Sequence, residues 1–294
     1  MTAAPTVFAG TAVDVDPQQY RRDGFSFPHR VMPAEHADHL RVELEHLVDA
    51  HAGATSVVPF VDYARSNLHV VSTAVAQMAR HPSILDAVEA IIGPDISLWG
   101  AELIAKEPNT DKVLTMHQDL TYWGLDGSDG LVTAWLAVSD VTIANGAMSF
   151  VPGSHHHGQL AHHDTFGDDN LLSRGQEIAV DVRPEDTVPV ELERGEISLH
   201  HGLMFHGSGP NTTAQRRIGL VLRYLAPSVV QRDGNVDYVM ACRGVNRSTK
   251  LLTIAPPAQD FSAAAVDLHA EITAAQSSTL GAGATEELGY SRTK

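Results

Sequence analysis

The chain has 294 residues, 43% of them hydrophobic and 19% charged, which is enough length and apolar material to bury a core without crosslinks. Its 20 Lys and Arg stand against 36 Asp and Glu, and the formal charge of −16 repels phosphate backbones and anionic lipid, so neither nucleic acid nor a membrane surface is an expected partner. Cys242 is the only cysteine, which excludes an intrachain disulfide and a cysteine-based zinc site and suits a reducing compartment.

The opening "MTAAPTVFAGTAVDVDP" has no basic n-region and too short an apolar run for a signal peptide, and no later segment has the length to span a bilayer, so a cytoplasmic location is expected. "YRRDGFSFPHRV" alternates as a short strand does. "MPAEHADHLRVELEHLVDAH" puts Pro33 at the first helical position and Leu40, Leu44, Leu47 and Val48 on one apolar face. Residues 51–71 show no clear period. "STAVAQMARHPSILDAVEAIIG" reads as two short helices, broken at His81 and Pro82 and ended by Gly93. From 96 the texture changes to short runs, "ISLWGAELIAK", "LVTAWLAVSDV", "AMSFVPGS", "TVPVELERGEISLHHGLMFHG" and "RRIGLVLRYLA", separated by Gly, Pro, Asn and Asp, a pattern of many short strands in a sandwich or jelly roll. Residues 154–187 are polar, too long for a hairpin turn and read as an insertion; "SAAAVDLHAEITAAQ" predicts a late helix, after which "GAGATEELGYSRTK" should fray. One domain over 1–294 is expected: a mainly helical flank (1–95), a jelly-roll core (96–226) and a C-terminal extension (227–294).

"TMHQDLTYWGL" sets His117 and Asp119 two apart. On a strand such residues point to one face, so an imidazole and a carboxylate can meet at a single point. Two histidines and one carboxylate, with the other positions left open, suit a non-haem Fe(II) that must bind a cosubstrate and oxygen. The second histidine must come from elsewhere, and "SLHHGLMFHGSGPN" offers His200, His201 and His206. Of these, His206 stands at a strand-to-turn boundary, where an open turn lets metal and cosubstrate approach the backbone. Arg217 then opens "RIGLVLRY" and could hold a carboxylate through two parallel hydrogen bonds, while Arg216 should face solvent.

"HQD", "AWLAVSD", "NGAMSFVPGSH" and "HHGLMFHGSGPN" followed by Arg217 closely resemble the phytanoyl-CoA dioxygenase family of Fe(II)- and 2-oxoglutarate-dependent oxygenases, from about Tyr20 to Ala226, with "YRRDGFSF" also typical of it. The resemblance implies a mainly β fold with flanking helices, a double-stranded β-helix of the cupin-like kind. It implies that His117, Asp119 and His206 bind iron, and that Arg217, assisted by Ser208, grips the distal carboxylate of 2-oxoglutarate. Trp135 would lie against that cosubstrate and Trp123 near the substrate, although each tryptophan suits a plain core position equally well. Fe(II) with 2-oxoglutarate and O2 as cosubstrates would then hydroxylate a C–H bond, releasing succinate and CO2. Halogenating relatives replace the carboxylate by a small residue, and here Asp119 is present. Desaturation, demethylation and cyclisation stay open.

In relatives the turn carrying His155 to His157 shapes the pocket without binding iron; His162, His163 and Asp164 are read as a solvated loop or a cover over the entrance. A small polar metabolite or a natural-product intermediate is the expected substrate, because no basic patch for the phosphates of an acyl-CoA can be located. Arg243, Asn246 and Arg247 are read as solvated surface, with substrate contact as the alternative. Two rivals remain: a cupin-like metalloenzyme using His117, Asp119 and His206 without 2-oxoglutarate, and a non-catalytic jelly-roll binding module. Nothing in the chain sets an oligomeric state.

Overall fold

The computed structural model describes residues 11–50, 64–165, 170–172, 174–232 and 236–280. Helix α1 (Pro17–Asp23), strand β1 (Phe25–Arg30) and helix α2 (Ala34–Ala50) open the chain. They are followed by β2 (Ala64–Arg65), α3 (Leu68–Val71), α4 (Thr73–Met78) and α5 (Pro82–Ile92). The strand-rich stretch comprises β3 (Ile96–Lys106), β4 (Leu114–His117), β5 (Leu125–Asp126), β6 (Leu131–Ala137), β7 (Met148–Phe150), β8 (His162–His163), β9 (Glu177–Ile178), β10 (Val188–Val190), β11 (Glu196–His201), β12 (His206–Ser208) and β13 (Arg217–Leu225). After it come β14 (Val230–Gln231), β15 (Asp237–Arg243), β16 (Leu251–Ile254) and helix α6 (Ala263–Leu280).

The large sheet runs β1-β11-β6-β13-β3-β15-β16, with β2 also pairing to β3, and the small sheet runs β10-β7-β12-β4. Sequence-distant strands lie side by side in both, as a jelly roll requires. Alternation divides each central strand of the large sheet into two faces. Val132, Ala134 and Leu136 of β6, Ile197 and Leu199 of β11, and Ile218, Leu220, Leu222 and Tyr224 of β13 join Leu40, Leu44, Val75, Met78, Ile84 and Val88 of the helices in the main core. The opposite face looks into the roll, where Trp135, Phe150 and Val221 belong to one apolar cluster and Trp99, Leu120 and Leu225 to another.

Several local expectations change. Tyr20 to Asp23 are helical, not strand, because Asp16 accepts from the Gln18 N–H at 2.8 Å, Pro17 starts the helix and Gly24 closes it at φ 81°. Pro33 precedes the first helical residue, its carbonyl accepting from the His36 N–H at 3.0 Å. Leu40, Leu44 and Leu47 are buried as the apolar stripe requires, whereas the side chain of Val48 lies outside the described residues. The break at His81 and Pro82 and the stop at Gly93 hold, and the aperiodic stretch before them contains α3. The late helix runs on to Leu280; "GAGATEELGYSRTK" lies outside the described residues, as do 51–63 and residues 166–169 and 173 of the insertion. Among the described residues no helix is long and apolar enough to cross a membrane.

Candidate active site

His117 is the last residue of β4 and His206 the first of β12, and the two strands pair antiparallel with these residues directly opposite. Their rings lie 4.1 Å apart. Only glycine fits between His206 and Ser208, since a Cβ on Gly207 would sit 2.7 Å from the Leu114 carbonyl oxygen. Asp119 is not on the strand. It begins a 3-10 turn (Asp119–Tyr122), so the carboxylate returns to the histidines by a turn and not by strand alternation. Its Oδ1 is 3.6 Å from His117 Nε2 and 3.9 Å from His206 Nε2, and one ligand atom from each of the three lies within 4.8 Å of the others.

The histidines are held in the tautomer a metal needs. Nδ1 of His117 lies 2.8 Å from the Thr115 carbonyl oxygen and Nδ1 of His206 lies 3.0 Å from that of Met204. A carbonyl only accepts, so each Nδ1 carries the proton and each Nε2 keeps its lone pair. Burial, with the His117 ring beside it, holds His206 well below the ordinary imidazole value and therefore neutral. Burial alone would raise the Asp119 carboxyl, but the imidazoles of His117 and His200 beside its two oxygens outweigh it and, with the charge of Arg223, keep it well below the carboxylate range.

A cavity of about 1650 Å³, its open mouth included, has these three groups in its wall. Arg217, Gly219, Val221 and Arg223 alternate along one face of β13, which spaces the Cα atoms of the two arginines about 20 Å apart on that strand. Arg217 is buried, and burial pushes it down to about 10, so it stays charged at neutral pH. Its guanidinium lies 5.2 Å from the centre of the Trp135 ring, and its Nε and the Ser208 hydroxyl are both buried without a hydrogen-bond partner. Arg216, as expected, turns outward and pairs with Glu107 at 2.7 Å. Lys106, opposite Arg217 on β3, donates to the carbonyls of Gly209 and, at 3.2 Å, Ser208, which fastens the turn carrying the Ser208 hydroxyl. Burial, and to a lesser extent the charge of Arg217, lowers Lys106 to about 7.

The remaining wall is polar and aromatic. Trp123 packs on Trp99 with ring centres 4.9 Å apart, and Arg223 lies over Trp123 while pairing with Glu102 at 3.0 Å. The buried carboxylate of Asp237 accepts from the Trp99 indole at 2.6 Å, Gln231 at 3.2 Å and Gln276 of α6 at 3.3 Å. Asn67 donates to Gln276 at 2.8 Å, so α6 is fastened to this wall from two sides.

All seven residues singled out in the sequence, His117, Asp119, Trp123, Trp135, His206, Ser208 and Arg217, line this cavity. Lys106, Trp99, Glu102, Arg223, Asp237 and Gln276 were not foreseen. His155 and His156 point at the Arg21 and Arg22 carbonyls; Asp164 pairs with Arg174 and accepts from Tyr122. Arg243 pairs with Glu89 and Asp86, Asn246 caps its own loop, and Arg247 faces Asp95, so none of the three reaches the cavity; Gln231, Asp237 and α6 occupy the place considered for them.

A family model described as Phytanoyl-CoA dioxygenase (PhyH) matches residues 20–219. A "Probable phytanoyl-CoA dioxygenase" of Caenorhabditis elegans is 28% identical over 186 residues, 60% of each chain. The peroxisomal phytanoyl-CoA dioxygenase of Homo sapiens is 34% identical over 138 residues, 45% of this chain and 40% of that protein. The chain thus spans about half the length of these curated relatives. A solved structure titled "non-heme monooxygenase; ThoJ apo" superposes with a TM-score of 0.78 at 32% identity, covering 90% of this chain and 97% of that one.

Proposed function

Because the chain belongs to the phytanoyl-CoA dioxygenase family, we propose that it is an Fe(II)- and 2-oxoglutarate-dependent oxygenase that hydroxylates a C–H bond of a small polar metabolite or natural-product intermediate. One observation carries this: two imidazole nitrogens with free lone pairs and one carboxylate converge in the wall of a cavity that also holds a buried, unpartnered arginine Nε and serine hydroxyl. The donor set fits iron. His117, Asp119 and His206 are hard-to-borderline donors that would hold the ion from one side, in the wall of the cavity. Bound there, Fe(II) supplies the oxygen activation that couples decarboxylation of 2-oxoglutarate to substrate oxidation.

The protein's own groups bind and orient. Arg217 Nε and the Ser208 hydroxyl supply donors for the distal carboxylate of 2-oxoglutarate, and a doubly charged anion beside a buried guanidinium removes the cost of leaving those donors unmade. Trp135 forms the wall on which the cosubstrate chain rests. Trp99 and Trp123 offer flat apolar surface to the substrate, and Asn67, Gln231 and Gln276 offer amides. The balance is that 2-oxoglutarate, O2 and R–H give succinate, CO2 and R–OH. The cationic side chains in the described cavity wall are Arg217, assigned to the cosubstrate, and Arg223, already paired with Glu102, which disfavours the phosphates of an acyl-CoA.

The test is an anaerobic titration of metal-free protein with Fe(II) and then 2-oxoglutarate, watching for the visible charge-transfer band of a chelated keto acid. The band is expected in the wild type, absent in His206→Ala and weakened in Arg217→Ala. Bound Fe(II) with no band would replace this function by that of a metalloenzyme working without 2-oxoglutarate; no metal binding would leave a binding module.

A further inference from the structure

His200 is a fourth histidine at this centre. It lies on the inward face of β11, lines the cavity and is 2% exposed, and neither ring nitrogen has a hydrogen-bond partner. Its ring packs 5.1 Å from Phe150 and 4.9 Å from His206. A buried imidazole with both nitrogens unmade is costly, and an apolar side chain of similar size would fill the space without that cost. What distinguishes the position is the carboxylate. Asp119 turns Oδ1 toward His117 and His206, and its other oxygen, Oδ2, lies 3.5 Å from His200 Nε2.

We propose that His200 is a positioning residue for the metal centre: its Nε2–H donates to the outer oxygen of Asp119 and holds the carboxylate so that Oδ1 alone faces the metal. This rests on the assignment of His117, Asp119 and His206 as metal ligands. A ligating carboxylate left without such a partner can rotate or swing to a two-oxygen contact, which would take one of the positions that cosubstrate and oxygen need. Partners of this kind orient ligands elsewhere, and their loss typically lowers metal affinity about 10- to 100-fold.

The experiment compares wild type, His200→Leu and His200→Gln for anaerobic binding of Co(II), read by its visible ligand-field bands and by titration. Leucine keeps bulk and removes the donor; the amide nitrogen of glutamine can reach where Nε2 stands. The expected result is a loss of about tenfold or more in Co(II) affinity with altered bands for His200→Leu, and recovery to within about threefold of wild type for His200→Gln. Melting of the metal-free proteins runs beside it, and His200→Leu should melt no lower than wild type. Wild-type affinity and bands in His200→Leu would overturn the proposal, as would equal impairment of both variants or a lower melting point for metal-free His200→Leu, since either marks a packing role. Failure of the wild type itself to bind Co(II) would instead remove the metal site on which the proposal depends.

Discussion

Gly219→Ala is the sharpest perturbation of the Arg217 end of the cavity, where the proposed function seats 2-oxoglutarate. Gly219 lies on the inward face of β13 between Arg217 and Val221, and a Cβ built there would stand 1.9 Å from Cζ2 and 2.4 Å from Cε2 of Trp135. Ordinary contact begins near 3.4 Å, so the indole must retreat by about 1.5 Å in an interior packed too densely to absorb the move freely. Such overpacking costs about 1–3 kcal/mol. The retreating ring is the one beneath the Arg217 guanidinium, so the loss extends to ligand binding. Two assays separate the effects: denaturant unfolding for stability, and 2-oxoglutarate titration of the anaerobic Fe(II) protein. Gly219→Ala should lower stability by about 1–3 kcal/mol and weaken 2-oxoglutarate roughly tenfold, since about 1.4 kcal/mol of misplacement suffices for that. Trp135→Phe in the same chain removes the clashing ring edge and should recover much of the stability, giving a coupling well above the few tenths expected of independent sites. Wild-type stability and affinity in Gly219→Ala, or strictly additive effects in the double variant, would refute the close approach of strand and indole.

Arg217→Lys keeps the charge but loses the planar fork, so 2-oxoglutarate should bind about tenfold more weakly while Co(II) affinity stays the same; equal loss of both would detach Arg217 from the cosubstrate. Asp237→Asn leaves a buried amide facing the Trp99, Gln231 and Gln276 donors, which should cost about 1–3 kcal/mol and speed hydrogen exchange in α6, and unchanged protection of residues 263–280 would show that Asp237 does not fasten the helix. Lys106 makes a pH test. Its folded value is depressed from 10.5 to about 7, so between those limits the unfolded chain holds a proton that the folded chain does not, and this group makes stability rise with pH. The stability difference between wild type and Lys106→Met should therefore grow in favour of wild type from pH 7 toward 10.5; parallel curves would mean that the carbonyls of Ser208 and Gly209 keep the ammonium charged.

Much of the β core was legible because its strands are short, bounded by Gly, Pro, Asn and Asp, and fixed in face by alternation. "ISLWGAELIAK" and "LVTAWLAVSDV" contain β3 and β6 in full. Alternation misleads where a strand slips. At β3 the pairing with β13 skips Trp99, setting Leu98 opposite Tyr224 and Gly100 opposite Arg223. That bulge lets Trp99 look inward in the same strand as Glu102 and Ile104, although the residue parity differs. A bulge of this kind carries no local signature beyond Gly100. The Tyr20–Asp23 segment failed for another reason: the alternation belongs to Phe25, Ser26 and Phe27, which do form β1, while an Asp cap, a proline at the first turn and a glycine stop set the residues before them in a helix.

The metal-facing half of the cavity was readable because its parts are close in sequence to turns that announce them, and because His117 and His206 meet through one strand pair. Asp119 shows the limit of that logic: the side chains converge as expected, yet by a 3-10 turn that strand periodicity does not describe. The same periodicity would have separated His200 from His201. Ile197 and Leu199 face the helices, so His200 must face the roll, and the adjacent His201 cannot share that face. The opposite half lies beyond such rules. Trp99 and Asp237 are 138 residues apart and Asn67 and Gln276 are 209 apart, and nothing local in either partner marks the other. The metal-binding residues meet on one strand pair and the turn beside it, whereas the opposite wall is assembled from the helical flank and the last helix. On the proposed function, variants at Asn67, Trp99, Asp237 and Gln276 therefore address substrate choice more directly than any change at the metal.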